Sequence, residues 1–144
     1  MVTASPKQIV IEDQGPRDGF QSEQTVVPTA LKLELIGALV EAGVKRVQVT
    51  SFVHPKYVPQ MADAEAVCAG LKPRDGVVYS GLVLNERGID RAIAAGLSHV
   101  AASYSASDTH SQKNARVTLA QAQENYLAIV RKAKGAGLTV RGGV

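Results

Sequence analysis

An arginine and an aspartate stand side by side near the start of this chain, in the run Gly15-Pro16-Arg17-Asp18-Gly19. Residues 8–13 before them are rich in β-branched side chains and predict a strand that ends beside the charged pair. Ligands bind at strand ends in α/β folds. There a carboxylate can hold a divalent cation or move a proton, and a guanidinium can stabilise an oxyanion. Taken alone, the pair also fits a salt bridge in an ordinary turn.

Length and composition favour a single globular domain. The chain has 144 residues, of which 45% are hydrophobic, and this is enough for one domain with a core. No apolar run approaches the ~20 residues of a membrane span, and residues 1–6 lack the apolar centre of a signal peptide. The single cysteine, Cys68, excludes an internal disulfide and a cysteine-based metal cluster. We therefore expect a cytoplasmic protein.

The charge pattern argues against a nucleic-acid partner. The formal net charge is +3, the basic residues are scattered, and only 4% of the residues are aromatic. A weak positive field of this kind can help to bind an anionic substrate such as a CoA ester. It is too diffuse to indicate nucleic acid. Neither nucleic acid nor a membrane is expected among the partners.

A repeated helix-stop signal divides the chain into alternating helices and strands. An alanine, a glycine and an apolar residue recur at residues 42–44, 69–71, 95–97 and 136–138. Glycine suits the left-handed position just after a helix, and the apolar residue can pack back on the last turn. The short apolar runs around these stops predict strands over residues 8–13, 46–51, 77–83, 99–105 and 139–144.

Apolar spacing and capping residues locate four helices. Leu31, Leu35, Ile36, Leu39 and Val40 form one apolar stripe, with Thr29 as the predicted N-cap. A shorter helix is predicted over residues 61–71, and a third from an Asn85 cap to Ala95. Thr118 and Gln121 match a capping box at the start of the fourth.

Strict alternation of strands and helices predicts an α/β fold with a parallel sheet. A five-stranded doubly wound sheet and the first part of a (β/α)8 TIM barrel both fit, although a whole barrel needs ~250 residues. Residues 139–144 predict a strand with no helix after it, whereas a doubly wound domain usually ends in a covering helix. We therefore expect one partial TIM-barrel domain over residues 1–144, with four βα units and a fifth strand. Its open strand edges require a missing continuation, a second chain or self-association.

Two long motifs make a family resemblance specific. The run GPRDGFQSE at residues 15–23 resembles the signature of the 3-hydroxy-3-methylglutaryl-CoA lyase family of metal-dependent TIM-barrel lyases and Claisen synthases. The run TSFVHPKYVPQMAD at residues 50–63 is a second match. Shorter matches follow in family order at residues 105–108, 113–114 and 140–142. The resemblance covers the N-terminal half of such an enzyme.

The resemblance implies metal-assisted retro-Claisen cleavage of a 3-hydroxyacyl-CoA to acetyl-CoA and a keto acid. It implies that Asp18 is a ligand of Mg²⁺ or Mn²⁺ and that Arg17 stabilises the enolate oxygen of acetyl-CoA. Gln21 and Ser51, at the ends of the first two strands, are implied to position substrate. Lys56 is a candidate contact for the CoA phosphates and equally fits an ordinary surface lysine. Hard cations need several oxygen ligands, so Asp18 alone is not enough.

Several family residues have no counterpart in this chain. A His-X-His pair, a later Asn and a catalytic Cys on a late loop complete the family's site, and none of them is present. Gln48 stands where the lyases usually carry Glu, and Cys68 falls on a predicted helix, where a buried apolar role fits it best. We therefore expect a fragment with little activity of its own. The alternatives are a non-catalytic half-barrel subunit for assembly or binding, and a Claisen-condensing relative with another acyl substrate.

Overall fold

A computed structural model describes residues 9–144, which form four parallel strands and the helices that connect them. The strands are β1 (Arg46–Ser51), β2 (Val78–Val83), β3 (His99–Ser103) and β4 (Thr139–Gly143). The α-helices are α1 (Thr29–Glu41), α2 (Ala64–Gly70), α3 (Glu86–Ala94), α4 (Asp108–Ala115) and α5 (Leu119–Gly135). A π-helical turn spans Gly15–Gly19 and a 3-10 turn spans Pro59–Met61.

The strand order identifies a partial barrel. The strands lie in the order β1-β2-β3-β4, and each pairs in parallel with the next strand along the chain. A doubly wound sheet would reverse its order at a switch point, and this sheet does not. The structure thus confirms the predicted TIM-barrel architecture, with every crossover passing through at least one helix.

The predicted first strand is reduced to one residue. Asp13 forms an isolated parallel bridge with Val47, because its N–H donates to the Arg46 carbonyl and its own carbonyl accepts from Gln48 N–H. Ile9, Val10 and Ile11 are unpaired and about 70% exposed, so the prediction of a strand was wrong there. Residue 8 lies outside the described residues. β-branched side chains favour a strand only where neighbours cover them, and nothing covers these three.

Three of the four helix-stop glycines behave as predicted. Gly43, Gly96 and Gly137 adopt φ values of 97°, 77° and 80°, the left-handed conformation that follows a helix. Gly70 differs, because it is the last residue of α2 and does not have a positive φ. A Cβ added there would lie 2.3 Å from Cδ1 of Leu33. This glycine therefore permits the close approach of α1 to α2.

The helix starts were predicted with mixed success. Asn85 accepts a hydrogen bond from Gly88 N–H, and Thr118 forms a full capping box with Gln121, as predicted. The prediction for Thr29 was wrong, because Pro28 occupies the N-cap and the Thr29 hydroxyl instead donates to Asp63. The predicted helix over residues 61–71 begins three residues later, after the 3-10 turn, and ends at Gly70.

The core lies between the sheet and the helices that cover it. One cluster joins β2, β3 and β4 to α2, α3 and α5, and a smaller one joins β1 to α1 and α2. Cys68 belongs to the first cluster, and burial raises the pKa of its thiol to about 12. That thiol stays protonated at neutral pH, which fits the predicted apolar role. Among residues 9–144, no helix has the length and apolar character needed to cross a bilayer.

Candidate active site

The charged run forms a tight helical turn beside β1. Gly15–Gly19 is a single π-helical turn, with Pro16 buried at its start. Proline suits this position because the first turn of a helix does not use its N–H group. The turn begins two residues after Asp13, whose bridge to Val47 is all that remains of the predicted first strand. Arg17 therefore lies just past the end of that strand and next to β1. π-helical turns are frequent at functional sites.

Three side chains hold the Arg17 guanidinium. Its Nε donates to Gln48 Oε1 at 2.6 Å, its Nη2 to Gln14 Oε1 at 2.7 Å, and its Nη1 to Asp18 Oδ1 at 2.5 Å. The side chain is 12% exposed. Burial lowers the pKa of Arg17, Asp18 opposes that shift, and Arg141 adds to it. Arginine still carries its charge at neutral pH, so the site presents a fixed cation.

Asp18 is the exposed member of the pair. Its side chain is 66% exposed, and the ion pair with Arg17 occupies one of its oxygens. Within residues 9–144, no three His, Cys, Asp or Glu side chains lie close enough together to hold a metal ion. The described residues therefore bring no cluster of carboxylate or histidine ligands to Asp18. Asp18 offers one carboxylate toward such a site.

A second polar group, the carboxylate of Glu12, contacts side chains on β2 and β4. Glu12 Oε1 accepts a hydrogen bond from Ser80 Oγ at 2.8 Å, and Glu12 Oε2 lies 2.9 Å from Arg141 Nε on β4. The Glu12 side chain is 12% exposed. Its charge also raises the pKa of Arg17, while Arg141 lowers it. Glu12 therefore balances Arg141 beside the candidate site.

The three predicted substrate-binding residues lie in different settings. Gln21 comes just after the π-helical turn and is half-buried. Ser51 ends β1 and is fully buried, and its hydroxyl is directed toward the Leu82 carbonyl at 3.5 Å. Lys56 is exposed in the loop that follows β1. All three lie at or just after the carboxyl end of a strand or of the Asp13 bridge, and barrel enzymes act at this face of the barrel.

Sequence reasoning missed the contacts made by Gln14, Gln48 and Glu12. Gln48 was singled out only as a departure from the family pattern, and the other two were not singled out. The Arg17–Gln48 contact joins residues 31 positions apart, and the Glu12–Ser80 contact joins residues 68 apart. One signal was available for Gln48, because this polar residue lies between Val47 and Val49 in a run that otherwise reads as an apolar strand, whereas Glu12 and Gln14 lie in the polar stretch that ends the predicted first strand.

Comparison with known proteins gives a consistent family. The HMGL-like family model matches residues 8–144. Bovine mitochondrial hydroxymethylglutaryl-CoA lyase is 43% identical over 137 residues, and the zebrafish cytoplasmic 3-hydroxy-3-methylglutaryl-CoA lyase is 41% identical. Each match covers 95% of this chain, and 42% and 41% of the relative respectively.

Solved structures agree with the sequence matches. The HMG-CoA lyase of Brucella melitensis superposes with a TM-score of 0.90 at 41% identity, over 95% of this chain and 48% of that one. The HMG-CoA lyase of Acinetobacter baumannii, solved in complex with coenzyme A and 3-methylmalate, gives 0.87 at 36% identity, over 98% and 46%. The chain spans somewhat less than half the length of these relatives. With the family model matched along almost its entire length, this chain belongs to the HMGL-like family.

Proposed function

We propose that this chain is the N-terminal half of a carbon–carbon lyase that cleaves a 3-hydroxyacyl-CoA such as 3-hydroxy-3-methylglutaryl-CoA. One observation carries the proposal: a nearly buried guanidinium, Arg17, is fixed by three acceptors at the carboxyl end of the sheet in a member of the HMGL-like family. By itself the chain is expected to turn over little substrate, since it matches less than half of each lyase.

Arg17 has a defined task in this reaction. A base removes the proton of the 3-hydroxyl, the C2–C3 bond breaks, and C3 becomes the carbonyl of the keto acid. The electron pair of the broken bond forms the enolate of acetyl-CoA, which then takes up a proton at C2. The Arg17 guanidinium stabilises the enolate oxygen, because a fixed cation in a partly desolvated site acts most strongly on charge that develops during the reaction. Gln21, Ser51 and Lys56 are proposed to position the acyl-CoA.

The metal proposal is limited to one ligand. Asp18 contributes a single carboxylate toward Mg²⁺ or Mn²⁺, and further carboxylate or histidine ligands are proposed to come from the complementary half, since residues 9–144 hold no cluster of them. We expect calorimetry to detect only weak binding of either cation by this chain alone. Asp18→Asn should abolish that binding, whereas Asp75→Asn, in an exposed loop, should not. Tight binding that survives Asp18→Asn would contradict the assignment.

The partner proposal follows from the open sheet. β1, which carries only the Asp13 bridge, and β4 are the two edge strands, and Ile9, Val10 and Ile11 just before that bridge are exposed. A complementary half barrel, from a continuation, a second chain or self-association, would cover both edges. We place the chain in the cytoplasm, like its zebrafish relative by name, although the bovine relative is mitochondrial.

The decisive experiment is a lyase assay with and without a polypeptide that supplies the C-terminal half of a related lyase. Activity with Mg²⁺ or Mn²⁺ should require both polypeptides. Arg17→Ala should lower kcat by about 10²–10³-fold, the range found when a stabilising donor is removed from an oxyanion site. Arg74→Ala, which removes an exposed guanidinium, should leave the rate unchanged. Full activity of Arg17→Ala would refute the proposed mechanism.

A non-catalytic half barrel is the second candidate. It is favoured by the neutral Gln48 and by the absence of a metal-ligand cluster within residues 9–144. Such a subunit would form a stable oligomer that binds neither divalent cation nor acetyl-CoA. Sedimentation together with calorimetry separates the two candidates, because the lyase half must bind both ligands once its complement is present.

A further inference from the structure

Two glutamine side chains accept hydrogen bonds from the Arg17 guanidinium, one from before it in the sequence and one from after it. Gln14 lies three residues before it, and Gln48 reaches it from β1. Each offers its amide oxygen, at 2.7 Å to Nη2 and 2.6 Å to Nε respectively. Together they engage two of the three nitrogens of the guanidinium. Because the group is planar, two contacts on different nitrogens fix the direction in which its remaining N–H groups point.

The contact from Gln48 comes with an unpaired buried donor. The side chain is fully buried, and its Nε2 has no hydrogen-bond partner among the described residues. A buried donor without a partner lowers stability. A glutamate would give Arg17 the same acceptor position and leave no such donor. A glutamine therefore keeps the orientation of Arg17 at a local cost and adds no negative charge to it.

The charged groups around Arg17 do not contact its Nε or Nη2. Asp18 contacts Nη1 and is largely exposed, while Glu12 is engaged by Ser80 and Arg141. The acceptors of Gln14 and Gln48 are neutral, and among residues 9–144 Asp18 is the only carboxylate bonded to the guanidinium. Gln14 and Gln48 therefore orient the Arg17 guanidinium, and Asp18 balances its charge.

We propose that Gln48 and Gln14 are positioning residues, which fix the guanidinium plane of Arg17 through neutral acceptors so that its free N–H groups face the substrate oxygen. The catalytic part of this inference rests on the proposed lyase function. The orientation of Arg17 is independent of that function and can be measured on this chain without substrate.

The first test follows the Arg17 Nε–H proton by NMR in arginine-labelled protein. Its exchange with water should be slow in the unmodified chain, and Gln48→Leu should accelerate it about tenfold or more, since a tenfold change corresponds to one ordinary hydrogen bond. Gln48→Glu keeps an acceptor at the same place and should preserve slow exchange. Gln123→Leu, on an exposed position of α5, is the matched control. Unchanged exchange in Gln48→Leu, with backbone spectra showing a folded chain, would overturn the proposal.

Gln14→Leu tests the second contact separately. It should broaden or shift the Arg17 Nη2 signals and leave the Nε–H proton slow, because Gln48 still holds Nε. A loss of both signals in Gln14→Leu would show that the two glutamines do not act on different nitrogens, and would contradict the assignment.

The second test uses the lyase assay with the complementary half. Gln48→Leu should lower kcat with KM nearly unchanged, because a misdirected guanidinium fails on charge that develops only in the transition state. Gln48→Glu should recover most of that loss. If the reconstituted protein has no lyase activity, the proposed function fails while the NMR result still decides the positioning role.

Discussion

Lys32 and Asp63 form a buried ion pair between α1 and the residue that caps α2. The Nζ atom of Lys32 lies 2.6 Å from Asp63 Oδ1, and the lysine side chain is only 1% exposed. The same Nζ donates to the Gln60 carbonyl, and Asp63 Oδ2 accepts from the Thr29 hydroxyl at 2.6 Å. Lys32 Nζ thus has two acceptors and both oxygens of Asp63 are bonded, in one network that ties α1 to the segment that follows β1.

Lys32→Met should lower the free energy of unfolding by about 3 kcal/mol, because it leaves Asp63 without its cation at a largely buried position. Urea denaturation measures the change. Lys132→Met is the control, since Lys132 pairs with Asp90 where both side chains are at least one-third exposed, and it should cost less than about 1 kcal/mol. Equal losses in the two variants would mean that the Lys32 pair gains nothing from burial.

Gly70→Ala and Gly37→Ala should have opposite effects on stability. A methyl group at Gly70 would meet the end of the Leu33 side chain at 2.3 Å, so either that side chain must move or α1 and α2 must separate, and the loss should be about 1–3 kcal/mol. Gly37 lies inside α1 with nothing within 4 Å of an added Cβ, and alanine there should add about 0.5–1 kcal/mol. Thermal unfolding of both variants tests the pair. A stabilising Gly70→Ala would show that the packing of these helices adjusts freely.

Stability should fall as the solution is acidified below pH 6.5, because of His99. Burial first, and then the nearby Arg46, lower the pKa of this histidine below its ordinary value of 6.5, while Glu12 acts in the opposite direction. The unfolded chain therefore binds the proton before the folded chain does. Stability is lost from about pH 6.5 down to the lowered pKa of the folded state.

His99→Gln should flatten the stability profile in this window. Urea midpoints between pH 8 and 5 for the two proteins provide the comparison, and the two curves should be parallel above pH 7.5. Profiles that stay parallel throughout would assign the acid sensitivity to other groups.

Thr118→Ala should lower stability by about 1 kcal/mol through the start of α5. The Thr118 hydroxyl accepts from Gln121 N–H at 3.3 Å, and Gln121 Oε1 accepts from Thr118 N–H at 2.9 Å. Thr118→Ser keeps both contacts and should be close to neutral. Circular dichroism during thermal unfolding distinguishes the variants, and an equally damaging serine would show that the methyl group rather than the cap is responsible.

Local patterns predicted most of the fold because most of its elements have a continuous apolar run, an apolar stripe or a recognisable stop signal. Residues 46–51 form a strand as expected, and the Asn85 and Thr118 caps begin their helices as expected. Helix α4 was missed because Asp108–Ala115 is almost wholly polar and has no apolar stripe. Its sequence signal was Ser107, whose hydroxyl accepts from His110 N–H at the start of the helix.

The candidate site was predicted less completely, because its contacts join distant residues. The sequence motif singled out Arg17 and Asp18, and the structure places them in one ion pair. The motif could not reveal that Arg17 bonds to Gln48. These two residues approach each other because Asp13 pairs in parallel with Val47 on β1. Three exposed residues, Ile9 to Ile11, were assigned to a strand because propensity does not report whether a neighbour covers them.

The sequential strand order has a consequence for how the chain is made. Each strand pairs only with strands adjacent to it in the sequence, so pairing closes short stretches of chain and no strand waits for a distant partner. Synthesis proceeds from the N-terminus, and domains generally begin to fold while it continues. The ribosome therefore delivers β2, β3 and β4 in the order in which the sheet can accept them. Once one of these strands has left the ribosome it can pair with the strand before it, and its outer edge is then open to the next strand of the chain.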